Sequence, residues 1–335
     1  MFLNKKPMPP QRTIKTGVFT FVLTAVAIPL YAQTGGPPAL PTGNTGIAAS
    51  FPNDVNIKTN GNVLFADSFE TYTSISQLTG SGSYNNYYQG SNLALDSSVF
   101  LSGPKAIRFR MPATGGEVSN GIEKRLSSGQ DTLFMRAYVR FQPNYAGIQD
   151  AHSGFTITGG TYPGPGRRPN GTDYFLVLVE NSRYQGEGEP GYTNAYVYHP
   201  EQDDLYGEHW YPDGTVSNGT QNFGPYFVAR PRILPARGAW ICYEVMLKLN
   251  APGSRDGRLA VWQDGKLIAD WQNLRFRDVS TLKINKITVE HGGKSSSQQN
   301  DKWYDNLVVA TSYIGPASTG STQPLPPSGL SATVK

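Results

Sequence analysis

Residues 237–266 read RGAWICYEVMLKLNAPGSRDGRLAVWQDGK, and this stretch decides the fold. Two apolar and aromatic runs, Trp240–Leu249 and Arg258–Gln263, are separated by Asn250-Ala251-Pro252-Gly253 and followed by Asp264-Gly265, which turns the chain into a third run, Lys266–Trp271. An Asp-Gly pair between alternating runs is a hairpin signal, because the tight turn that suits strand twist needs positive φ at both central residues. Working outward, runs of the same kind recur at Lys105–Met111, Leu133–Phe141, Tyr174–Glu180, Ala195–His199, Ile284–Glu290 and Trp303–Ala310. No amphipathic helix of three or more turns lies between them. Short strands punctuated by turns predict an all-β protein, and about 250 residues of this pattern suit one large sandwich of two antiparallel sheets better than two small domains.

Composition agrees. In 335 residues there are 37 Gly and 25 Pro with only 16% charged residues, which excludes a coiled coil, a helical bundle and a multi-pass membrane protein. The formal charge of +4 resides in the first 32 residues, where Lys5, Lys6, Arg12 and Lys15 face no acid; without them 29 − 4 = 25 basic residues balance 25 acidic ones. No global field for nucleic acid or other polyanions remains. That basic start, the apolar run Gly17–Leu30 and Ala32 before Gln33 predict a secretory signal peptide over 1–32. The apolar run is shorter than the roughly 20 residues of a membrane span and contains Pro29. The expectation is a secreted protein, extracellular or periplasmic, with no membrane association after removal of the leader. Cys242 stands alone, so no intramolecular disulfide is available. A Gly/Pro-rich linker is expected over 33–61, the β-domain over 62–315, and a Pro/Ser/Thr-rich tail over 316–335, whose Pro326–Val334 resembles the first strand of a fibronectin type III domain.

Alternation then sorts the side chains. Leu133–Phe141 places Met135, Ala137, Val139 and Phe141 on one face and Arg136, Tyr138 and Arg140 on the other. The second face reads either as a solvated surface with cross-strand ion pairs or as a recess where guanidinium groups hold carboxylates and a ring stacks on sugar. Asn194, Tyr196 and Tyr198 form a second such set. Of the four histidines, His152 sits at a loop-to-strand junction, where an imidazole serves packing or proton transfer equally well. His291 precedes Gly292-Gly293 at a strand end, and His199 and His209 flank an acidic stretch that reads as a surface loop. A glycoside hydrolase needs two carboxyls across the scissile bond. No strand carries Glu-x-Asp-x-x-Glu, and Glu187 and Glu189 fall in a glycine-rich loop, so hydrolysis ranks below other chemistry.

The run from Arg237 through Asn250, Pro252-Gly253 and Val261-Trp262 to Asp264-Gly265, with Arg275, Arg277, Gly292-Gly293 and Asp305-Asn306-Leu307-Val308-Val309, resembles the polysaccharide lyases of family 14 and their relatives. The likeness is clear in the C-terminal half of the core and rests on pattern in the N-terminal half. It implies a concanavalin-like β-jelly roll with a concave cleft, and β-elimination of an anionic, uronic-acid-containing polysaccharide such as alginate or glucuronan by a monomer. No cofactor for catalysis is implied. Tyr196-Val197-Tyr198 matches the family's functional Tyr-x-Tyr pair, which makes Tyr198 the expected base and acid with Tyr196 in support. His152 assists in this reading, and Arg136, Arg140, Tyr138 and Asn194 hold the substrate; these assignments come from facing. The family's structural calcium, tying the first and last strands, would draw on Asp67, Glu70 and Asp305. One departure stands out: Ala151-His152-Ser153-Gly154-Phe155 lacks the family's lysine, and Phe175–Val179 lacks its serine and arginine. A non-catalytic carbohydrate-binding sandwich explains the same residues, with a glycoside hydrolase third.

Overall fold

The computed structural model describes residues 36–148, 151–182, 187–294 and 296–318. The expected signal peptide and the segment Pro326–Val334 lie outside the described residues. Sixteen strands, numbered in chain order, form two eight-stranded antiparallel sheets. The first runs β14 (Lys266–Leu274), β13 (Gly257–Gln263), β12 (Trp240–Lys248), β6 (Thr132–Phe141), β16 (Asn300–Ala310), β4 (Ala106–Met111) and β3 (Leu93–Asp96), with β1 (Val63–Asp67) also paired to β16. The second runs β11 (Val216–Ser217), β10 (Glu208–Trp210), β9 (Tyr192–Tyr198), β8 (Tyr174–Ser182), β7 (His152–Gly160), β15 (Ile284–Gly293), β5 (Val118–Gln130) and β2 (Asn86–Tyr88). Among the described residues no helix is long and apolar enough to cross a membrane.

The β13–β14 hairpin turns at Asp264-Gly265 with φ of 51° and 74°, the left-handed pair that the sequence predicts. Between the sheets lies the main core. Met135, Ala137, Val139 and Phe141 of β6 and Val245 and Leu247 of β12 meet Phe175, Val177 and Val179 of β8, Ala195 and Val197 of β9, and Ile287 and Val289 of β15. This period-2 selection of one face per strand is what burying apolar area at about 25 cal/mol per Å² enforces.

A second, smaller core lies outside the sandwich. Phe134, Met246, Ala260, Trp262, Val308 and Ala310 point outward from the first sheet and are covered by Ala48, Ile57, Tyr313 and Ile314. The Gly/Pro-rich stretch expected to be a linker therefore packs, from about Leu40 to Ile57, against the sheet. Its few apolar residues suffice because the sheet supplies the other half of the contact. β16 is buried along its whole length, its polar residues Asn300, Asp301, Lys302, Asp305 and Asn306 included.

This cover corrects the expected role of the β6 polar face. Arg136 is fully buried, and its Nη2 bonds Asp54 at 2.6 Å. Tyr138 takes a hydrogen bond from the Ala317 N–H, and Arg136 lies over the Tyr138 ring at 5.3 Å. Beside them Glu244 accepts the N–H groups of Ile314 and Gly315, and burial pushes its carboxyl up to about 7. Arg136, Tyr138 and Arg140 thus belong to the first sheet, on the side away from the second. Alternation told which side chains share a face but not which segment would cover it.

The strands that the alternation does not pick out include two that are polar or glycine-rich. β5 contributes only Val118 and Ile122 to the core, and β7 contributes Phe155 and Ile157 amid three glycines. Both are held by pairing to β15 rather than by their own propensity.

Candidate active site

The second sheet's outer face carries the remaining expected residues. On β9, Ala195 and Val197 enter the core, so Asn194, Tyr196 and Tyr198 face out. On β8, Phe175, Val177 and Val179 enter the core, which turns Leu176, Leu178 and Glu180 out beside them; Glu180 is registered against Asn194 and Leu178 against Tyr196. Across the sheet Gly154 of β7 lies between Glu180 and Glu290 of β15. Gly154 has to be glycine, since a Cβ there would collide with the Val179 carbonyl.

Three rings cover Glu180. His152 stacks on Tyr196 with centroids 5.5 Å apart, and Tyr196 stacks on His209 of β10 at 4.6 Å. The Nδ1 atoms of His152 and His209 lie 3.8 and 3.4 Å from the two Glu180 carboxylate oxygens. His209 Nδ1 also lies 3.2 Å from Asn194 Oδ1. Burial alone would deprotonate His152, but the Glu180 carboxylate, aided by Glu290, prevails and raises its pKa to about 9. Burial would likewise neutralise Glu180, and its two histidine partners hold its pKa below the ordinary value instead. His152 is therefore an imidazolium at neutral pH. That state suits charge neutralisation and proton donation, and it does not suit proton abstraction.

The phenols adjoin this pair. Tyr196 donates to the Tyr198 hydroxyl at 3.1 Å and accepts from the Gly207 N–H at 3.2 Å. Tyr162, from the β7–β8 loop, packs edge-on against Tyr198 with ring centroids 5.4 Å apart. Burial followed by the neighbouring Tyr198 hydroxyl raises the pKa of both Tyr162 and Tyr196. Tyr198 is only 1% exposed, whereas the His152 side chain is 45% exposed and Tyr196 is half-buried. The phenol nearer solvent is thus Tyr196, with Tyr198 beneath it.

Two other histidines were misplaced by the sequence reading. His199 is buried, with Nε2 3.1 Å from Glu208, and His209 is a strand residue in the ring stack rather than a loop residue. His291 is a core residue bonded to Ser153 at 2.9 Å, and burial lowers its pKa to about 3. Glu180, His209, Glu290 and Tyr162 are the residues that sequence reasoning missed. Glu180 had a usable signal, since it ends the Tyr174–Leu176–Leu178 face; the others are brought in by pairing or by a loop.

The calcium set separates into parts. Asp67 is committed to the Phe69 N–H and the Tyr72 hydroxyl at 2.8 and 2.7 Å. Both Glu70 oxygens are buried without a hydrogen-bond partner. Asp305 accepts the N–H groups of Leu101, Ser102 and Asn306, yet burial raises its pKa to about 7. A cavity of about 730 Å³ opens beside Asp67 and Glu70. Among the described residues no three His, Cys, Asp or Glu side chains form a metal-holding group. Glu70, with both oxygens unpartnered, fits a hard cation; Asp305 and Asp67, each already accepting donors, would add only the lone pairs left over.

The architecture is an antiparallel jelly-roll sandwich with one outer face sealed and the other lined by tyrosines, histidines and acids. The family described as Polysaccharide lyase 14 matches residues 183–307, a segment that holds Tyr196, Tyr198 and His209 but not His152. Among solved structures the chain is similar to a variant of alginate lyase Aly36B in complex with an alginate trisaccharide, with 16% identity and a TM-score of 0.55 over 75% of this chain and 98% of that one. It is equally similar to the marine PL-14 alginate lyase from Aplysia kurodai, with 14% identity and a TM-score of 0.55 over 75% of this chain and 100% of that one. These likenesses establish the fold expected from the sequence. No curated protein matches.

Proposed function

We propose that this protein is a polysaccharide lyase that cleaves a uronic-acid-containing polymer by β-elimination on the outer face of the second sheet. The observation that carries the reading is the His152–Tyr196–His209 stack over Glu180 with Tyr198 bonded to Tyr196. Elimination has three needs, and the cluster has a group for each. The His152 imidazolium neutralises the uronate carboxylate, which acidifies the C5 proton. The Tyr196–Tyr198 pair removes that proton, the C4–O4 bond breaks as the C4=C5 double bond forms, and a phenol returns a proton to O4. A phenolate on Tyr198 would be held by the hydroxyl donated from Tyr196, which makes Tyr198 the proton store and Tyr196 the group that meets the sugar. Histidine replaces the missing lysine. The reading includes export after cleavage at Ala32, action as a monomer, and a structural calcium on Glu70 and Asp305.

One observation favours a second reading. Tyr198 is covered by Tyr162, as suits a recognition surface that binds polysaccharide without cutting it. Ultraviolet absorbance of the unsaturated product, followed with the mature chain and a panel of uronate polymers, separates the two. A rise that is lost in Tyr196→Phe supports the lyase. A flat trace over the whole panel, with retained binding to a member of it, sinks the lyase and leaves the binding sandwich.

A further inference from the structure

The charges on the site face are arranged in pairs. Among the described residues along the second sheet from β10 to β5, the outward-facing basic residues are His209, His152, Lys286 and Arg125, and the outward-facing acids are Glu180, Glu290 and Glu123. His152 and His209 share Glu180; Lys286 and Arg125 share Glu123 at 3.0 and 3.4 Å. Loops outside the sheet repeat the arrangement. Arg232, stacked 3.9 Å over Tyr211, bonds Asp213 at 2.8 Å, and Arg237 bonds Glu189 at 2.9 Å. In the loop that carries Tyr162, Arg167 bonds Asp173 at 2.6 Å and Arg168 bonds the Pro200 carbonyl. Among the described residues Glu290 has no ion-pair partner: it accepts from Thr156 and from the Tyr88 hydroxyl at 3.5 Å, and it stands in the same row as Glu180 across Gly154.

Neutral surface fills the rest. Tyr88 lies over Gly121, where a Cβ would meet its hydroxyl at 2.5 Å, and so forms a platform on the β5 side of His152. Tyr162 and Tyr174 pack about Tyr198 toward the other end, and Thr156, Thr288 and Leu176 lie between. Aromatic rings and hydroxyls are what neutral sugar rings stack on and bond to.

From this we infer that the substrate is a heteropolysaccharide in which single uronates are separated by neutral sugars, one carboxylate seating at His152 and the flanking sugars on Tyr88 and the Tyr162 side. The inference rests on the lyase reading. A chain of consecutive uronates would bring a carboxylate to each neighbouring subsite, where it would meet Glu290 or the Glu123 carboxylate that Lys286 and Arg125 already share, and like charges brought together cost affinity. Among the described residues each of the cations named on this face is already engaged by an acid, so none stands ready for a second uronate.

The test compares kcat/KM of the full mature chain, read as unsaturated product, on alginate and polyglucuronate with that on gellan-type heteropolymers carrying one 4-linked glucuronate in the backbone of each repeat. At low salt the heteropolymers should be cleaved at least about tenfold faster. Raising NaCl to about 0.3 M should raise cleavage of the homopolymers and leave the heteropolymers unchanged or slower, because the repulsion is screened. Glu290→Gln should narrow the preference by about 3- to 10-fold, and Glu123→Gln, which releases Lys286 and Arg125, should do so independently if the first variant folds poorly. Homopolymers cleaved faster at low salt, with a rate that salt lowers, overturn the inference and leave the lyase standing. No unsaturated product from any polymer overturns the lyase reading and the inference with it.

Discussion

The two outer faces of this sandwich are built from the same alternation and end in opposite states. On the first sheet Arg136, Tyr138 and Glu244 point away from the core as Tyr196, Glu180 and His152 do on the second. The first set is sealed by the segments about 40–57 and 313–318, and its charges are spent on Asp54 and on backbone N–H groups. The second set is left to loops, and its charge is gathered on one buried carboxylate beneath three rings. A strand pattern of polar residues therefore marks an outer face and says nothing about its use. What covers the face decides whether an arginine is a ligand-binding group or a structural bolt.

Four measurements would break or sharpen this contrast. Tyr198→Phe should lower kcat by about 10²- to 10⁴-fold, the worth of a positioned acid–base group, with a thermal melt close to the parent's. Next comes Asp54→Ala, which strands Arg136 as a buried unpaired charge and should cost about 3–5 kcal/mol in urea unfolding while leaving kcat/KM of the folded fraction unchanged. If activity falls in step with that pair, the two faces are not independent.

Glu180→Gln acts on the open face. The folded pKa of His152 lies above its ordinary 6.5, so the ion pair's contribution is complete below about 6.5 and is lost as pH climbs through about 9. Glu180, held low, supplies its share above its ordinary 4.5 and loses it as pH falls. The parent's kcat/KM should therefore decline on the alkaline side near pH 9. The variant's decline should begin at least one pH unit lower, with about a tenfold loss above about pH 8. An unchanged profile would remove His152 as the neutralising cation.

The smallest effect concerns calcium. Asp305 and Glu70 have raised carboxyl pKa values, so the apo fold loses stability as pH rises from their ordinary range toward about 7. Millimolar calcium should recover about 1–2 kcal/mol, or a few degrees of melting temperature, at neutral pH and much less in acid. Glu70→Gln should abolish that pH-dependent gain; a gain that survives it places the ion elsewhere.

Legibility followed the periodicity. Strands with strong alternation, such as β6, β12, β13 and β16, were readable to within a few residues, and the Asp264-Gly265 turn was readable outright, because the constraint on each is local. The Tyr196/Tyr198 facing was legible for the same reason. Strand β7 was not, since His152–Gly160 is rich in glycine and takes its conformation from β8 and β15. His209 was hidden in an acidic stretch whose strand is only three residues long.

By itself, then, the amino-acid sequence determined the sheet-forming runs, the side each residue takes and the turn chemistry, all of which depend on neighbours one or two positions away. Only the tertiary structure decided that Arg136 meets Asp54, 82 positions earlier, and that Glu180 lies between histidines from two different strands. Those outcomes depend on sheet order and on which segments close over each face, quantities set by burial summed over the whole molecule rather than by any local pattern.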